Sequence, residues 1–227
     1  MTAPLCPATP QVIAVEGLCF AGKTTLARSL ARRLRAWLGA EYADLIALPP
    51  FPPATAFAAR AGLSTLLAAE AARARCARAA GTRLVIIDRS PLSIIGHEHA
   101  MQARGIPADP QGAATWFARA AAVGAILEPD AYLYLTVPDE VFHQRQRNRE
   151  QLPGHLIDPD VRSALSEFYA ACFLNAAPGR VLSLDGTSPV PSLVDQAAAF
   201  ITAAQAGVRG IHVPWLADPS QVSGRAT

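Results

Sequence analysis

The chain has 227 residues, of which 51% are hydrophobic, and this is enough for one domain with a full core. Its formal net charge is only +2, so the composition favours neither nucleic acid nor an anionic membrane surface as a partner. The four cysteines are widely spaced without a C-x-x-C pair, which argues against a zinc site or a disulfide framework. No stretch has the length and apolar character of a signal peptide or a membrane span, so we expect a cytoplasmic protein with a flexible N-terminus over residues 1–10.

The first predicted elements are a short buried strand over residues 11–15, a glycine-rich loop, and an amphipathic helix that should end near Gly39. The loop, residues 17–24, reads Gly-Leu-Cys-Phe-Ala-Gly-Lys-Thr and fits the phosphate-loop pattern G-x-x-x-x-G-K-[ST]. Its glycines allow consecutive N–H groups to point into one concavity at the start of the helix, which makes an anion site. An ordinary glycine turn is the alternative. The predicted nucleotide-binding residues are Gly17, Phe20, Ala21, Gly22, Lys23, Thr24 and Thr25.

The last residues of this loop have separate predicted roles. Lys23 should reach the β- and γ-phosphates of a nucleotide, and the Thr24 hydroxyl should bind the Mg²⁺ that accompanies it. ATP and Mg²⁺ are therefore the expected cofactors.

A second strand is predicted over residues 44–48, closed by the proline-rich segment 49–53. A helix over residues 54–80 should follow, with an interruption near Gly62. Its arginines, Arg73, Arg75 and Arg78, are interpreted as a solvated face.

The third predicted strand, residues 83–88, is apolar and ends in Asp88. A carboxylate at the C-terminal tip of a buried parallel strand faces the ligand crevice. Asp88 could orient Mg²⁺ through water or take a proton from the phosphoryl acceptor, and a simple helix cap is the alternative.

The rest of the chain continues the alternation of strands and helices. Helices are predicted over residues 92–103, 110–127, 158–175 and 191–206, and strands over 131–137 and 180–185. This order predicts an α/β fold, with a five-stranded parallel sheet and helices on both faces. The single domain should cover residues 11–206, include a small arginine-rich lid at about 143–156, and be followed by a C-terminal tail over 207–227.

The lid carries Arg145, Arg147 and Arg149, which alternate and would point to different faces of a helix. We expect one or two of them to act as cations over the transferred phosphoryl group, a solvated charge run being the alternative. His97 and His99 do not share a helix face, so a zinc site is not expected there. The histidines flanking the lid, His143 and His155, are interpreted as surface residues.

These motifs together resemble the thymidylate kinase family and, more broadly, the P-loop nucleoside and nucleotide kinases. The matching motifs are Val15-Glu16-Gly17, Lys23-Thr24-Thr25, Asp88-Arg89-Ser90 and the segment 132–140 with its strand and Pro-Asp-Glu. The resemblance covers about residues 12–206 and implies a phosphotransferase in which Arg89 contacts the transferred phosphate. Similar family members are often dimers, so a homodimer is possible.

The resemblance does not extend to the positions that recognise thymidylate in that family. Cys19 and Phe20 replace charged residues inside the loop, Leu67-Ala68-Ala69-Glu70-Ala71 replaces the base-reading helix motif, and segment 48–53 is uncharged. Thymidylate is therefore not the expected acceptor, and the acceptor need not carry a phosphate. Deoxynucleoside kinases share the acid-Arg-Ser motif and an apolar loop interior, but they need a carboxylate after the second strand, which the predicted strand does not provide.

The sequence thus predicts an ATP-dependent kinase acting on a small molecule, either a nucleoside, a nucleotide or a related metabolite. Phe51 could stack on a planar acceptor or anchor its loop in the core, and Glu98 falls where the family's acceptor pocket has a polar contact. An NTP-binding switch or regulatory ATPase, a degenerate kinase fold that only binds, and a kinase of a specialised metabolite or antibiotic are the alternatives. The predicted acceptor-binding residues are Glu16, Cys19, Phe51, Leu67, Arg89 and Glu98.

Overall fold

The structure is a computed structural model that describes residues 10–148, 154–174 and 176–205. Its strands are β1 Gln11–Gly17, β2 Trp37–Gly39, β3 Leu84–Asp88, β4 Ala131–Thr136 and β5 Val181–Asp185. Its helices are α1 Lys23–Leu34, α2 Tyr42–Leu45, α3 Ala56–Ala80, α4 Pro91–Ala103, α5 Pro110–Ala122, α6 Asp139–Arg147, α7 Pro159–Leu174 and α8 Val190–Gln205, with a 3₁₀ turn at Gly154–Leu156. Three predicted features lie outside these residues in whole or in large part: the N-terminal segment, Arg149 and the C-terminal tail.

The five strands form one parallel sheet in the order β2-β3-β1-β4-β5. β1 is central, with Val15 beside Asp88 of β3 and Glu16 beside Tyr134 of β4. Because all strands point the same way, their carboxyl ends meet at one edge, where the glycine-rich loop and Asp88 lie together. The predicted parallel sheet is confirmed.

Helices cover both faces of the sheet, as predicted. α1 and α8 pack on one face over Ile13, Val15 and Leu133. α3, α4, α5 and α7 pack on the other face over Ala14, Val85 and Ile87. β1 and β3 are buried along nearly their whole length, which explains why their sequences are continuous apolar runs. Among the described residues, no helix combines the length and the apolar character that crossing a membrane requires.

The second strand was predicted in the wrong place. α1 ends at Leu34, not near Gly39, because Arg35 takes a left-handed conformation and donates its N–H to the Ala31 carbonyl. The next residues then pair with β3, with Trp37 beside Val85 and Gly39 beside Ile87. Local helix propensity continues through this segment, but pairing with the sheet edge overrides it.

Residues 44–48, which were predicted as that strand, do not join the sheet. Tyr42–Leu45 form one helical turn, and Leu48 is about half exposed. The prolines that follow have no N–H groups to donate to a ladder, which disfavours sheet pairing here.

α3 and α5 also differ from prediction. α3 continues through Gly62 without a break, and Thr55 caps it by accepting a hydrogen bond from the Ala58 N–H at 3.1 Å. α5 ends at Ala122, five residues before the predicted end. Arg75 and Arg78 are exposed, but Arg73 is buried, so the prediction of one solvated arginine face was wrong.

Candidate active site

The glycine-rich loop connects the central strand to α1, in the strand–loop–helix order that a phosphate loop requires. Phe20 and Gly22 both have positive φ, 61° and 103°, and this curls the loop around the start of α1. Gly17 has φ 138°, and a Cβ there would lie 2.3 Å from the Leu135 carbonyl oxygen. Only glycine permits this approach of the loop to β4.

Lys23 is buried at the base of the loop, where its Nζ donates to the Leu18 carbonyl at 2.7 Å. Burial lowers the pKa of Lys23, and the nearby Arg89 charge lowers it further. Cys19, Glu41 and Asp88 oppose this effect, so the ammonium lies within a set of charges of both signs.

Asp88 has the surroundings of a metal-binding acid. It is buried at the end of β3, and neither carboxylate oxygen has a hydrogen bond of ordinary geometry among the described residues. Burial raises the pKa of Asp88, while interaction with the Thr24 hydroxyl and the Lys23 charge lowers it. A buried carboxylate with unused lone pairs beside a hydroxyl suits a hard cation with oxygen ligands, so these residues fit Mg²⁺.

A cavity of about 400 Å³, here called the loop cavity, surrounds the N-terminus of α1. Six of the seven predicted nucleotide-binding residues line it, from Phe20 to Thr25. Gly17 does not line it and instead borders the neighbouring cavity. The other side of the loop cavity is formed by Arg145 and Asn148 of the α6 end and by Gly186, Ser188, Val190 and Leu193.

A second cavity of about 700 Å³, here called the large cavity, adjoins the loop cavity. Four of the predicted acceptor-binding residues line it, namely Cys19, Phe51, Arg89 and Glu98. Most of the remaining wall is apolar and comes from the proline-rich segment 48–53, α3, α4 and α7. A mostly apolar pocket of this size with a few convergent polar groups is typical of a small-molecule site.

Glu16 lies beneath the wall of the large cavity and does not line it. It is fully buried, and its carboxylate accepts hydrogen bonds from the Ser90 N–H and hydroxyl, the Ser93 hydroxyl and the Tyr169 hydroxyl. Its oxygens are thus occupied by protein donors. The arrangement ties β1 to the start of α4 and to α7.

Leu67 is also absent from the large cavity and packs at the margin of the core. Its helix α3 instead presents Gly62, Leu63 and Leu66 to the cavity. Leu66 is four residues from Gly62 and three from Leu63, so these three residues share one face of α3.

The large cavity and the loop cavity share Cys19, Glu41 and Arg89. Arg89 donates its Nε to Glu41 Oε1 at 2.5 Å, and its Nη2 lies 3.6 Å from Cys19 Sγ. Burial alone would raise the pKa of Glu41, but the Arg89 and Lys23 charges outweigh it, and the pKa lies below its ordinary value. An ionised carboxylate therefore stands at the junction of the two cavities.

Sequence reasoning missed Glu41 because the second strand was misplaced. With β2 at Trp37–Gly39, Glu41 is the carboxylate that follows the second strand. The sequence signal for this strand was Gly39. Glycine disfavours helix, so its position could have indicated that the helix ends earlier and that a short strand follows.

Three aromatic rings form one wall of the large cavity. Phe51 stacks on His155 with ring centroids 3.5 Å apart, and His97 meets both rings edge-on. Burial and the neighbouring His97 lower the pKa of His155 to about 4, so this ring is neutral at pH 7. The prediction that His155 is a surface residue was wrong, because its 3₁₀ turn folds over the proline-rich segment.

The lid arginines have different surroundings. Arg145 donates to the carbonyl oxygens of Phe20 at 2.9 Å, Ala21 at 3.1 Å and Gly186 at 2.7 Å, so it joins the loop to the segment after β5. Arg147 is exposed, and Arg149 lies outside the described residues. Their action on a phosphoryl group stays a prediction.

Arg162 of α7 is a further cation that sequence reasoning did not identify, and it lines the large cavity. Its Nη2 donates to Asp139, and its guanidinium carbon lies 3.7 Å from the centre of the Phe142 ring. Among the described residues, the arginines lining the large cavity are Arg89 and Arg162, and each is paired with an acid. Within the same residues, no three or more histidine, cysteine or acidic side chains cluster in a way that could hold a metal ion.

The sequence matches no protein-family profile and no curated protein sequence. The fold, in contrast, is similar to solved structures. Deoxyadenosine kinase from M. mycoides, with dCMP and dCDP bound, aligns at TM-score 0.64 and 16% identity over 85% of this chain and 100% of that one. The YorR protein of Bacillus subtilis, in complex with phosphorylated GDP, aligns at TM-score 0.57 and 16% identity over 88% and 100%. Thymidylate kinase from Candida albicans aligns at TM-score 0.53 and 14% identity over 86% and 92%. The chain therefore shares its fold with these solved structures, two of which are a deoxyadenosine kinase and a thymidylate kinase.

Proposed function

We propose that this protein is an ATP- and Mg²⁺-dependent kinase that transfers the γ-phosphoryl group to a hydroxyl of a small, planar, uncharged acceptor, with a nucleoside as the first candidate. The observation that carries the proposal is the Glu41–Arg89 pair at the junction of the loop cavity and the large cavity. A phosphoryl donor on one side and an acceptor on the other would meet at this pair.

The loop cavity has the parts that a triphosphate needs. Backbone N–H groups at the start of α1, Lys23 and the helix dipole would hold the β- and γ-phosphates. Thr24 and Asp88 would hold Mg²⁺, which neutralises charge that develops on the phosphate oxygens.

Glu41 is the proposed general base, because its carboxylate is ionised and lines both cavities. The acceptor hydroxyl would give its proton to the Glu41 carboxylate while its oxygen forms the new bond to the γ-phosphorus. The bond from that phosphorus to the β–γ bridging oxygen breaks, and ADP leaves with the electron pair. Arg89, fixed by Glu41, would stabilise the transferred group.

The large cavity favours an acceptor without a phosphate. Both arginines that line it within the described residues already have an acidic partner, and its histidine at position 155 is neutral. Phe51, the prolines and the leucines instead suit a flat apolar ring. Among the described residues, a phosphate would have to be desolvated there without an unpaired arginine or a lysine.

The test is an ADP-formation screen with Mg·ATP and matched pairs of nucleosides and their 5′-monophosphates, extended to other hydroxylated metabolites. We expect at least one nucleoside to stimulate turnover and its monophosphate to fail. Glu41→Gln should then lower kcat by about 10²–10⁴-fold with the KM for ATP little changed, because the amide cannot take the proton although its oxygen can still accept a hydrogen bond from Arg89. Glu128→Gln, an exposed glutamate before β4, is the matched control and should keep wild-type turnover.

Other outcomes point to the alternatives. Stimulation by monophosphates alone would contradict an acceptor without a phosphate and would favour a nucleotide kinase. Stimulation only by a non-nucleoside metabolite would indicate a specialised acceptor. Steady ATP hydrolysis that no acceptor changes, and that Glu41→Gln leaves intact, would favour a regulatory ATPase.

A further inference from the structure

A buried network lies behind the Glu41–Arg89 pair, and its two α3 members, Glu70 and Arg73, line neither cavity. Glu70 and Arg73 form an ion pair of 2.8 Å with both side chains fully buried. The Tyr42 hydroxyl donates to the same Glu70 oxygen, and the Arg73 guanidinium carbon lies 4.7 Å from the centre of the Tyr42 ring. Arg73 and Glu70 therefore hold the residue that directly follows Glu41.

Arg73 also contacts the backbone of both segments that carry the pair. Its Nη2 donates to the Ala40 carbonyl at 2.5 Å, and Ala40 directly precedes Glu41. Its Nη1 donates to the carbonyl of Arg89 itself at 3.0 Å. One guanidinium thus joins the segment after β2 to the segment after β3, and its planar fork gives these contacts a defined geometry.

The neighbouring strand leaves room for this side chain. A Cβ at Gly39 would lie 3.0 Å from Arg73 Cδ and 2.9 Å from Ile87 Cγ2. A side chain at position 39 would therefore push the Arg73 stem or the strand away. The glycine lets the guanidinium reach the turn between β2 and α2.

Stability alone is a poor explanation for the network. Burial raises the pKa of Glu70 even with Arg73 beside it, and Arg73 Nε and Glu70 Oε2 have no hydrogen-bond partner within the described residues. Apolar side chains of similar volume often replace a buried ion pair without loss of stability. What apolar side chains could not do is hold two carbonyl groups at once.

We propose that Arg73 is a positioning residue that sets the distance and orientation between Glu41 and Arg89. The expected effect of Arg73 on catalysis rests on the proposed function. Its expected effect on the distance between Glu41 and Arg89 does not. Arg73 lines neither cavity, so its effect on an acceptor would pass through the residues that it holds, which are the pair and Tyr42.

The main test is the double variant Arg73→Gln/Glu70→Gln, which removes both buried charges together and leaves neither alone. We expect kcat to fall by about 10–100-fold with both KM values close to wild type, because a misplaced catalytic pair slows the chemical step. A crystal structure of the double variant should show Glu41 Oε1 and Arg89 Nε farther apart than in a crystal structure of the wild-type protein. Arg75→Gln, an exposed arginine on the same helix, is the control.

A double-mutant cycle separates positioning from a general structural effect. Added to Glu41→Gln, the double variant should cause little further loss of kcat, since the pair it positions is already inactive. Additive losses would overturn the proposal, as would a folded variant with unchanged kcat and an unchanged Glu41–Arg89 distance.

Arg73→Lys keeps the test decisive if the double variant does not fold. The ammonium keeps the buried charge but cannot reproduce the fork to two carbonyls, so kcat should still fall by about 10-fold. If Glu41→Gln itself proves fully active, the proposed function fails, while the crystallographic distance in the Arg73 variants still decides the geometric claim.

Discussion

Glu16 and Asp88 are buried acids on adjacent strands near the glycine-rich loop, and they have different hydrogen-bond surroundings. Protein donors occupy the Glu16 carboxylate, whereas the Asp88 oxygens have no ordinary hydrogen bond among the described residues. A buried acid with occupied oxygens holds elements together, and one with unused oxygens is available to a cation. Glu41 differs from both because it is partly exposed and paired with an arginine.

The lowered pKa of His155 predicts that the stability of the fold depends on pH. Its folded pKa of about 4 lies below its ordinary value of 6.5, so the unfolded chain takes up this proton first as the pH falls. The contribution of His155 to stability is therefore complete above about pH 6.5 and is lost as the pH falls toward about pH 4.

Urea unfolding at about pH 7 and about pH 5 should show this loss, and His155→Phe, which keeps the stacked ring on Phe51, should reduce it. A proton NMR titration identifies the group directly, since the signal that His155→Phe removes should have its midpoint near pH 4. A midpoint near 6.5 would show that the ring is not buried against Phe51 and His97 in solution.

Among the secondary-structure elements, Arg145 joins α6, the glycine-rich loop and the segment after β5 through its hydrogen bonds to three carbonyl groups. Arg145→Ala should lower the free energy of unfolding by about 1–3 kcal/mol and weaken ATP binding, because those carbonyls lose their donor.

Arg147→Ala is the matched control for stability, since Arg147 is exposed, and its free energy of unfolding should stay within about 0.5 kcal/mol of wild type. If Arg147 acts as a lid cation, this variant should lower turnover more than ATP affinity. Denaturant unfolding and ATP titration distinguish the two arginines. Equal losses of stability in both variants would contradict the contacts of Arg145.

The elements also show what the sequence could and could not predict. The conformation of the glycine-rich loop was predictable because its pattern is local and its glycines have a stereochemical reason, as Gly17 shows. The place of Glu41 after the second strand was not predictable, because β2 is only three residues long and forms through pairing with β3. The burial of Arg73 was not predictable either, because it depends on the backbone segments that cover α3. The stacking of His155 on Phe51 joins distant loops, which no local pattern reports.

At the scale of the whole molecule, nucleotide binding should stabilise the fold. A ligand at about 100 times its Kd adds about 2.7 kcal/mol, which for a domain of this size corresponds to a rise in Tm of about 5–10 °C. We expect this rise with Mg·ATP and a smaller one with ATP and EDTA. Asp88→Asn should lose the Mg²⁺-dependent part, because its carboxylate is the proposed metal ligand.

Thermal unfolding with and without EDTA measures this difference and does not require the acceptor to be known. An equal Mg²⁺-dependent rise in wild type and Asp88→Asn would remove Asp88 from the metal site. A rise with ATP that Mg²⁺ does not affect in the wild-type protein would count against the metal site as a whole.

The shared wall of the two cavities has a consequence for chemical probes. Since Cys19, Glu41 and Arg89 border both spaces, nothing thicker than these side chains separates their contents. A single bisubstrate compound, with a flat ring joined through a short phosphate chain to adenosine, could therefore occupy both at once. Linking the halves makes the second contact intramolecular and can raise affinity by about 10²–10⁴-fold over either half. A series of such compounds with different chain lengths would measure the span between the two sites in solution.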